Sequence, residues 1–316
     1  MITITQLEYL IAVHREGHFG KAAKACFVSQ PSLSTQIQKV EENLDAVIFD
    51  RSKKPILTTE IGKEIIQQAE IVLREHRKLS HIADIGSSEP KGEFSLAIIP
   101  TLAPYLIPLF LKEFSSKYPK VKLTINESKT EDIIKDLGSD KLDCGILVTP
   151  LEDDTIIERH LFFEPFYTFS SKDHHLRKKK FISEFDLEDQ DLWLLEEGHC
   201  FRDQVLKVCS LDRNNKVFPN VEFESGNLET LKNLVKRNSG YTLLPELAVQ
   251  GLSKEEKDLS VGKFKKPVPT REVSLVHSRS FLKENIISRL EAEILSSLPK
   301  SIKSLKTRDL QVVDVV

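Results

Sequence analysis

Two cysteines are the residues of this sequence best suited to chemistry. Cys200 and Cys209 lie nine positions apart in the charged segment 194–209, which we expect to be accessible. If the residues between them are helical, at about 1.5 Å per residue, their Cα atoms lie roughly 13 Å apart, beyond the ~7 Å that a disulfide tolerates. Joining the two thiols must therefore refold the segment. Such a pair converts an oxidant into a conformational change, which is what a redox sensor requires.

The composition is that of an ordinary globular protein, and the length of 316 residues predicts about two domains or more. No apolar run approaches the ~20 residues of a membrane span, and the N-terminus lacks a signal-peptide pattern. We therefore expect a cytoplasmic protein without membrane association. The four cysteines are too few for a disulfide framework and predict thiols that are reduced by default. Because the net charge is −3, any DNA binding must depend on a local surface.

The first sixty residues predict closely joined helices. Thr5 and Glu8 match a capping box that opens the first helix. Ser29 is the expected N-cap of a third helix that runs to about Leu44. The residues expected to face inward from this helix are Leu33, Ile37, Val40 and Leu44.

The opposite face of the third helix carries polar side chains of the kind that read bases in the major groove. These residues are Gln30, Ser32, Thr35, Gln36 and Lys39. Arg51, Lys53 and Lys54 follow in a segment that suits a wing touching phosphates. The alternative is a small helical domain with a solvated polar face, which the nearly neutral charge of residues 1–58 leaves open.

A single long helix is predicted from Thr59 to about Ile85. Apolar or small residues and one histidine recur along it at spacings of four and three, which is a heptad seam suited to pairing with a second copy. The seam residues are Ile65, Ala69, Val72, His76, Leu79 and Ala83. The alternative is that this stripe docks on the body of its own chain. The small and polar segment 87–92 is the best candidate linker.

Strands and helices alternate after the linker, which predicts a parallel α/β sheet. Strands are expected at 94–99, 121–125 and 144–148, with a helix capped by Ser128 and Glu131. A second set spans about 167–268 and includes a strand at 193–195. The segment REVSLVHS then resembles a strand that returns to the first sheet. We therefore predict two α/β lobes with the chain crossing between them.

Several polar side chains follow predicted strands and converge on one cleft, because ligands bind at the carboxyl ends of strands. Thr101 follows the first strand, Thr130 the second, and His199 and Cys200 follow Leu195. Since a helix is predicted to start after His199, Cys200 gains a helix dipole and a nearby imidazole, both of which favour a thiolate. Either threonine could instead be only a helix cap.

At this point the chain resembles a known family. The run FGKAAKACFVSQPSLSTQIQKVEENLDAVIFDR is similar to the winged helix-turn-helix of LysR-type transcriptional regulators, with its alanine pair, SQP(S/T)LS turn and closing LF.R element. This resemblance adds Ser29, Pro31 and Ser34 to the expected DNA contacts. Within the family, GHCFRDQVLKVC resembles the peroxide-sensing segment and coincides with it at both cysteines.

The resemblance implies a DNA-binding regulator of the oxidative-stress response, and not an enzyme. Cys200 would be oxidised by hydrogen peroxide to a sulfenic acid and Cys209 would resolve it to a reversible disulfide. Thr101, Thr130 and His199 would hold the peroxide, and the resemblance adds Gln204 and Arg271 to this pocket. No cofactor is implied, and a metal site is not expected because His199 and the two cysteines supply only three ligands.

The implied partners are double-stranded DNA, hydrogen peroxide, RNA polymerase, a cellular thiol reductant and further copies of the chain, as a homodimer or homotetramer. The expected domains are a winged helix-turn-helix (1–58), a linker and dimerisation helix (59–88), a periplasmic-binding-protein-like regulatory domain (89–301) and a C-terminal tail (302–316). Lobe I of the regulatory domain takes about 92–166 and 269–301, and lobe II takes about 167–268. Two other functions stay open: a LysR-type regulator with a small-molecule effector in the same cleft, and a thiol peroxidase or oxidoreductase.

Overall fold

The computed structural model describes residues 2–53, 55–84, 89–187, 192–209, 225–278 and 283–314. The chain divides into two compact units, residues 1–87 and 88–316. Among the described residues, no helix is long and apolar enough to cross a membrane. The predicted wing residue Lys54 lies outside the described part of the chain.

The N-terminal unit is a helix-turn-helix followed by a short hairpin and a long helix. Its elements are α1 (Ile4–Glu16), α2 (Phe19–Ala25), α3 (Gln30–Leu44), β1 (Phe49–Asp50), β2 (Leu57–Thr58) and α4 (Glu60–Asp84). Strands β1 and β2 pair antiparallel and form the predicted wing. The core is apolar and draws on every helix of the unit: Leu10, Val13, Ala22, Leu33, Ile37, Val40, Ile48 and Ile66.

Two local predictions for this unit are wrong. Helix α1 is capped by Thr3, whose side chain accepts from the Gln6 amide while the Gln6 side chain accepts from Thr3. The pattern Thr-x-x-Gln satisfies the capping box as well as Thr5 with Glu8 does, so the helix begins earlier. Leu44 is 41% exposed and does not face inward, because α3 ends there and Asp45 turns the chain with a left-handed conformation. The predicted N-cap Ser29 is confirmed, since its hydroxyl accepts from the Ser32 amide.

Only part of the predicted seam on α4 is exposed. Ala69 is buried in the N-terminal unit and Ile65 is half-buried, whereas Val72 and His76 are exposed. The side chains of Leu79 and Ala83 lie outside the described part of the chain. Ile61 and Ile71 add to the exposed apolar surface of the helix.

The C-terminal unit is a mixed α/β structure. Its elements are β3 (Gly92–Ile98), α5 (Ala103–Lys117), β4 (Val121–Glu127), α6 (Thr130–Gly138), β5 (Cys144–Thr149), β6 (Ile156–Ser170), α7 (Cys200–Cys209), α8 (Leu228–Arg237), β7 (Tyr241–Pro245), α9 (Glu246–Gln250), α10 (Lys254–Ser260), β8 (Val261–Lys263), β9 (Val268–Ser278), α11 (Glu284–Ser297), α12 (Lys300–Lys303) and β10 (Leu310–Val312).

The sheet runs in the order β4-β3-β5-β9-β6-β7, with β10 beside β9 and β8 beside β6. Strand β3 pairs parallel with β4 and β5, as predicted. The prediction of a parallel sheet holds for these strands and is wrong for β9, which pairs antiparallel with both β5 and β6. Strand β6 leads from the part of the unit that contains β3, β4 and β5 to the part that contains β7, and β9 leads back. These two crossing strands therefore run in opposite directions. The segment REVSLVHS, within β9, does return to the first sheet as predicted.

Two hydrophobic cores lie on either side of these crossing strands. The first contains Phe94, Phe110 and Ile146, and the second contains Phe169, Phe201 and Tyr241. We refer to the parts of the unit around these cores as lobe I and lobe II.

Two further local predictions fail in these lobes. Residues 193–195 form no strand, because Trp193 meets β7 through a single backbone bond to Tyr241 and its carbonyl accepts from the Thr242 hydroxyl. Ser128 does not cap α6, since its amide pairs with the Ile98 carbonyl and the N-cap is Lys129.

Candidate functional site

Cys200 and Cys209 are the first and last residues of α7. At about 1.5 Å per residue their Cα atoms are roughly 13 Å apart, and no disulfide joins their sulfurs. The helix packs on the lobe II core through Phe201, Val205 and Val208. This packing buries Cys209 to 3% exposure, so the expectation of an accessible segment is wrong for this cysteine. Cys200 is half-buried. The two thiols of the candidate pair therefore lie in different environments.

Cys200 lines an open cleft of about 380 Å³. Thr130, the first residue of α6, lines the same cleft and forms a side-chain hydrogen bond with Cys200. The other lining residues are Glu131, Ile134, Pro150, Leu151, Glu152, Asp153, Gly198 and Asp203. The cleft brings together two of the predicted site residues, and a small molecule that enters it meets the sulfur of Cys200.

The electrostatics of Cys200 differ from the sequence-based expectation. Burial raises the pKa of the Cys200 thiol, and the charge of Arg271 and then the hydrogen bond with Thr130 oppose this rise. Burial and then the charge of Lys129 lower the pKa of His199, which disfavours the cationic form of the predicted imidazole. The positive group that favours the thiolate is thus the guanidinium of Arg271, since opposite charge stabilises the ionised form.

Arg271 is fully buried and contacts three residues. Its Nη2 lies 2.8 Å from Oε2 of Glu164, and its Nη1 donates to the Thr101 hydroxyl at 2.9 Å. Its guanidinium carbon lies 5.3 Å from the centre of the Phe201 ring, the residue next to Cys200. A buried charge needs a partner and hydrogen bonds, and Glu164 and Thr101 supply them. Thr101 therefore contacts Arg271 and does not line the cleft.

His199 is buried beside the start of α7. Its Nε2 lies 3.4 Å from Oε1 of Glu196, and the ring sits so close to Gly226 that a Cβ there would lie 2.7 Å from the same nitrogen. Lys129 forms an ion pair of 3.0 Å with Glu196. These contacts fix the backbone turn that delivers Cys200 to the cleft.

Five predicted site residues are not part of the cleft lining: Thr101, His199, Gln204, Cys209 and Arg271. Gln204 is fully buried, and its Nε2 donates to the Val313 carbonyl at 2.6 Å. Cys209 sits near Tyr241, whose hydroxyl lies 4.0 Å from the sulfur. Within the described part of the chain, no group of three or more His, Cys, Asp or Glu side chains is arranged to hold a metal ion.

Most of the residues predicted to contact DNA are exposed on the N-terminal unit. Ser29, Gln30, Pro31, Ser32, Thr35, Lys39, Arg51 and Lys53 are exposed. Ser34 and Gln36 are half-buried, and Gln36 accepts from the Gln6 side chain. Arg51 forms an ion pair of 2.7 Å with Glu41, so its guanidinium is already oriented on the wing.

Glu164 was not predicted from the sequence, although a signal for it was present. It is a carboxylate within the apolar run LFFEPFYTF, and a buried carboxylate requires a cationic partner. The acidic lining of the cleft was also missed, because Glu131 and Asp203 lie in the first turns of α6 and α7. At such positions acidic residues have an ordinary role in stabilising the helix.

The fold defines a class of transcriptional regulator. Its N-terminal unit is a winged helix-turn-helix, and its C-terminal α/β unit has two cores and a cleft lined by a cysteine. Sequence comparison gives the family. The profile of bacterial regulatory helix-turn-helix proteins of the lysR family matches residues 4–63, and the LysR substrate binding domain matches residues 87–295. The chain belongs to the LysR family of DNA-binding transcriptional regulators, which is not a class of enzymes.

The chain is similar to several relatives whose names refer to peroxide. It is 35% identical to the hydrogen peroxide-inducible genes activator of Pectobacterium carotovorum subsp. carotovorum, over 87% of this chain and 90% of the relative. It is 36% identical to the DNA-binding transcriptional dual regulator OxyR of Escherichia coli strain K12, over 87% of this chain and 89% of the relative.

Two solved structures are also similar. A full-length OxyR variant from Pseudomonas aeruginosa aligns over 94% of this chain and 99% of that chain, with a TM-score of 0.76 and 33% identity. A hydrogen-peroxide-bound OxyR mutant of Corynebacterium glutamicum aligns over 94% of this chain and 92% of that chain, with a TM-score of 0.61 and 26% identity. The predicted fold class and the resemblance to LysR-type regulators are thus confirmed.

Proposed function

We propose that this regulator senses hydrogen peroxide through Cys200 and responds by forming a Cys200–Cys209 disulfide. The observation that carries the proposal is the position of Cys200, which lines an open cleft together with Thr130, while the charge of Arg271 lowers the pKa of its thiol. The relatives named as hydrogen peroxide-inducible activators and the hydrogen-peroxide-bound structural neighbour support the choice of oxidant.

The chemistry proceeds in two steps. The Cys200 thiolate attacks one oxygen of hydrogen peroxide, the O–O bond breaks, and the other oxygen leaves as hydroxide and takes up a proton to become water. The thiolate of Cys209 then attacks the sulfur of the resulting sulfenic acid, and a second molecule of water leaves. Two thiols are oxidised to one disulfide and one peroxide is reduced to two waters. Arg271 stabilises the thiolate of the first step, and the Thr130 hydroxyl lies where it can bind the peroxide.

The second step supplies the conformational change. Because the ends of α7 are about 13 Å apart and a disulfide needs Cα atoms within ~7 Å, α7 must unwind between Cys200 and Cys209. Cys209 must also leave the lobe II core. The sensor therefore has two distinct structures, one with an intact α7 and one with the cysteines joined, and the oxidant selects between them.

The readout is a changed assembly on DNA. We propose that the exposed apolar residues of α4, Ile61, Ile71 and Val72, pair with a second copy of the chain and that two dimers form a tetramer. The polar face of α3 and the wing would then contact double-stranded DNA at half-sites spaced by helical turns. RNA polymerase would read the change in DNA contacts, and a cellular thiol reductant would restore the dithiol.

A LysR-type regulator with a metabolite effector is the second candidate function. The cleft is of a size that holds a small molecule, but its lining includes four carboxylates, Glu131, Glu152, Asp153 and Asp203. Like charges at a binding site repel an anionic ligand. The acidic lining thus disfavours anionic metabolites and leaves neutral or cationic ones.

Footprinting on target DNA tests the proposal. Oxidised and reduced wild-type protein should protect different lengths of DNA, and Cys200→Ser and Cys209→Ser should each give the reduced footprint after peroxide treatment. Cys26→Ser is the matched control, because Cys26 is a half-buried thiol of the N-terminal unit and this variant should behave as wild type. If both serine variants still respond to peroxide, the redox proposal is wrong.

A further inference from the structure

The C-terminal segment of the chain is built into the sheet beside the sensor. Strand β10 pairs parallel with β9, with Leu310, Gln311 and Val312 opposite residues 268–270. The ladder continues one residue further, because the Val313 amide donates to the Thr270 carbonyl at 2.8 Å. The side chain of Val313 also packs on the lobe II core. The segment therefore ends next to Arg271, the residue that follows Thr270 on β9.

The same segment contacts α7 between the two cysteines. The carbonyl of Val313 accepts from Nε2 of Gln204 at 2.6 Å, and the carbonyl of Asp314 accepts from Nζ of Lys207 at 3.3 Å. Gln204 is fully buried, so its hydrogen bond is shielded from competing water. Residues 310–314 thus connect α7 to β9. They form hydrogen bonds with Gln204 and Lys207 on α7 and with Thr270 on β9.

We propose that residues 310–314 are a positioning element that holds α7 in its helical, dithiol form and opposes formation of the Cys200–Cys209 disulfide. The proposal rests on the function proposed above. Gln204 and Lys207 lie within the stretch that must unwind when the cysteines are joined. An unwound stretch cannot keep both side chains at the spacing that reaches two successive carbonyls. The segment therefore stabilises the dithiol form more than the disulfide form.

Residues 310–314 affect the second chemical step, in which Cys209 attacks the sulfenic acid. They do not affect the first step, the oxidation of Cys200 by peroxide. None of residues 310–314 lines the cleft in front of Cys200. Removing the segment should accelerate the attack of Cys209 on the sulfenic acid, because α7 unwinds more easily. It should also shift the dithiol–disulfide equilibrium about tenfold toward the disulfide, which makes the reduction potential about 30 mV more negative.

Three full-length or nearly full-length proteins test the proposal. A chain that ends at Asp309 lacks the whole segment. Val313→Pro removes the amide that donates to Thr270 and keeps the chain length. Val312→Pro is the matched control, because alternate residues of a strand point their amides in opposite directions, and the Val312 amide faces away from β9. The Val313→Pro variant keeps the proposal testable if the shortened chain does not fold.

Two properties are measured. The reduction potential is determined in thiol redox buffers, and the rates of the two steps are determined by mass spectrometry of the sulfenic acid and the disulfide in quenched samples. We expect a more negative potential and a faster second step in the shortened chain and in Val313→Pro, with unchanged sulfenic acid formation and a wild-type Val312→Pro.

A purely structural role would lower the free energy of unfolding of the dithiol and disulfide forms equally and leave the potential unchanged, which would overturn the proposal. An unaltered second step in both test variants would overturn it as well. If wild-type protein itself forms no Cys200–Cys209 disulfide, the proposed function fails first and this inference fails with it. The two failures are therefore distinguishable.

Discussion

Cys200 and Cys209 occupy opposite ends of one ten-residue helix, with the first cysteine at the cleft and the second buried in the lobe II core. The helix keeps the thiols apart for as long as it is intact. Each thiol also has its own electrostatic partner or neighbour, Arg271 for Cys200 and the Tyr241 hydroxyl for Cys209. The separation of the pair is thus a property of secondary structure, and only a change in that structure can join them.

Removing the hydroxyl of Thr130 should slow the first oxidation step. Thr130→Val keeps the shape of the side chain but loses the hydrogen bond with Cys200, so the pKa of the thiol rises further and less thiolate is present at neutral pH. We expect sulfenic acid to form about tenfold more slowly, since a hydrogen bond to a charged group contributes about 1.5 kcal/mol or more. Stopped-flow oxidation across a pH series measures this, and the profile of the variant should shift to higher pH. Thr130→Ser, which retains the hydroxyl, should restore the rate; equal rates for valine and wild type would refute the role.

Breaking the Arg271–Glu164 pair should destabilise the C-terminal unit. Arg271→Met leaves the Glu164 carboxylate buried without its cation, which costs about 3–5 kcal/mol of unfolding free energy. Urea denaturation measures this loss. The double variant Arg271→Met with Glu164→Met removes both charges and should recover most of the stability. A double variant no more stable than the single one would contradict this assignment.

The close contact between Gly226 and His199 predicts opposite effects for two glycine substitutions. Gly226→Ala places a Cβ 2.7 Å from Nε2 of His199, and the resulting displacement of a buried ring should cost about 1–3 kcal/mol. Gly138, at the end of α6, has no neighbouring atom within 4 Å of a Cβ. Gly138→Ala should therefore be neutral or stabilise by up to about 1 kcal/mol. Chemical denaturation measures the free energy of unfolding of both variants. Similar changes at the two positions would rule out the proposed crowding of His199.

A pH titration of stability should detect buried His199. Burial lowers the pKa of His199 in the folded state, so the unfolded chain binds a proton at higher pH than the folded chain does. The stability linked to this group is fully present above the unfolded pKa of about 6.5 and is lost as the pH falls toward the lower folded pKa. We expect His199→Gln to show a weaker loss of stability between neutral pH and pH 5 than wild type. Parallel curves would show that His199 is not the group responsible.

Phe27 predicts a stabilising substitution in the N-terminal unit. It follows α2 with φ of +56°, a left-handed conformation that bulky residues rarely adopt, and its side chain is 96% exposed. Phe27→Gly should raise the unfolding free energy by about 1 kcal/mol, because glycine adopts this conformation without strain. Phe27→Ala keeps a Cβ and should gain little. Thermal unfolding compares the two, and a less stable glycine variant would show that the phenyl ring makes a stabilising contact.

Local features of this protein could be predicted from sequence where the pattern has one solution. The run that follows Ser29 predicts the cap and the bounds of α3 correctly, and its apolar face except for Leu44. The start of α1 was missed because two overlapping capping boxes, at Thr3 and at Thr5, fit the same sequence. The strand expected at 193–195 was missed because a short apolar run does not distinguish a strand from a buried segment with one bridge.

Contacts between distant parts of the chain could not be predicted. Arg271 and Glu164 are 107 positions apart, and Gln204 and Val313 are 109 apart. Nothing in the spacing of either pair indicates contact, since both are brought together by strand β9. The resemblance to the LysR family predicted Arg271 and Gln204 as site residues. The hydrogen-bond partner of each residue is known only from the structure. Part of the C-terminal tail, to which the sequence assigned no role, forms strand β10 (Leu310–Val312) of the sheet.

Peroxide sensing by Cys200 can be tested by mass spectrometry of thiol-blocked protein before and after one equivalent of hydrogen peroxide. We expect a peptide cross-linked between Cys200 and Cys209 to appear within seconds, Cys26 and Cys144 to stay reduced, and a thiol reductant to reverse the change. If Cys200 and Cys209 both remain reduced after peroxide treatment, the protein does not sense peroxide through this pair, and a small-molecule effector in the cleft becomes the function to test.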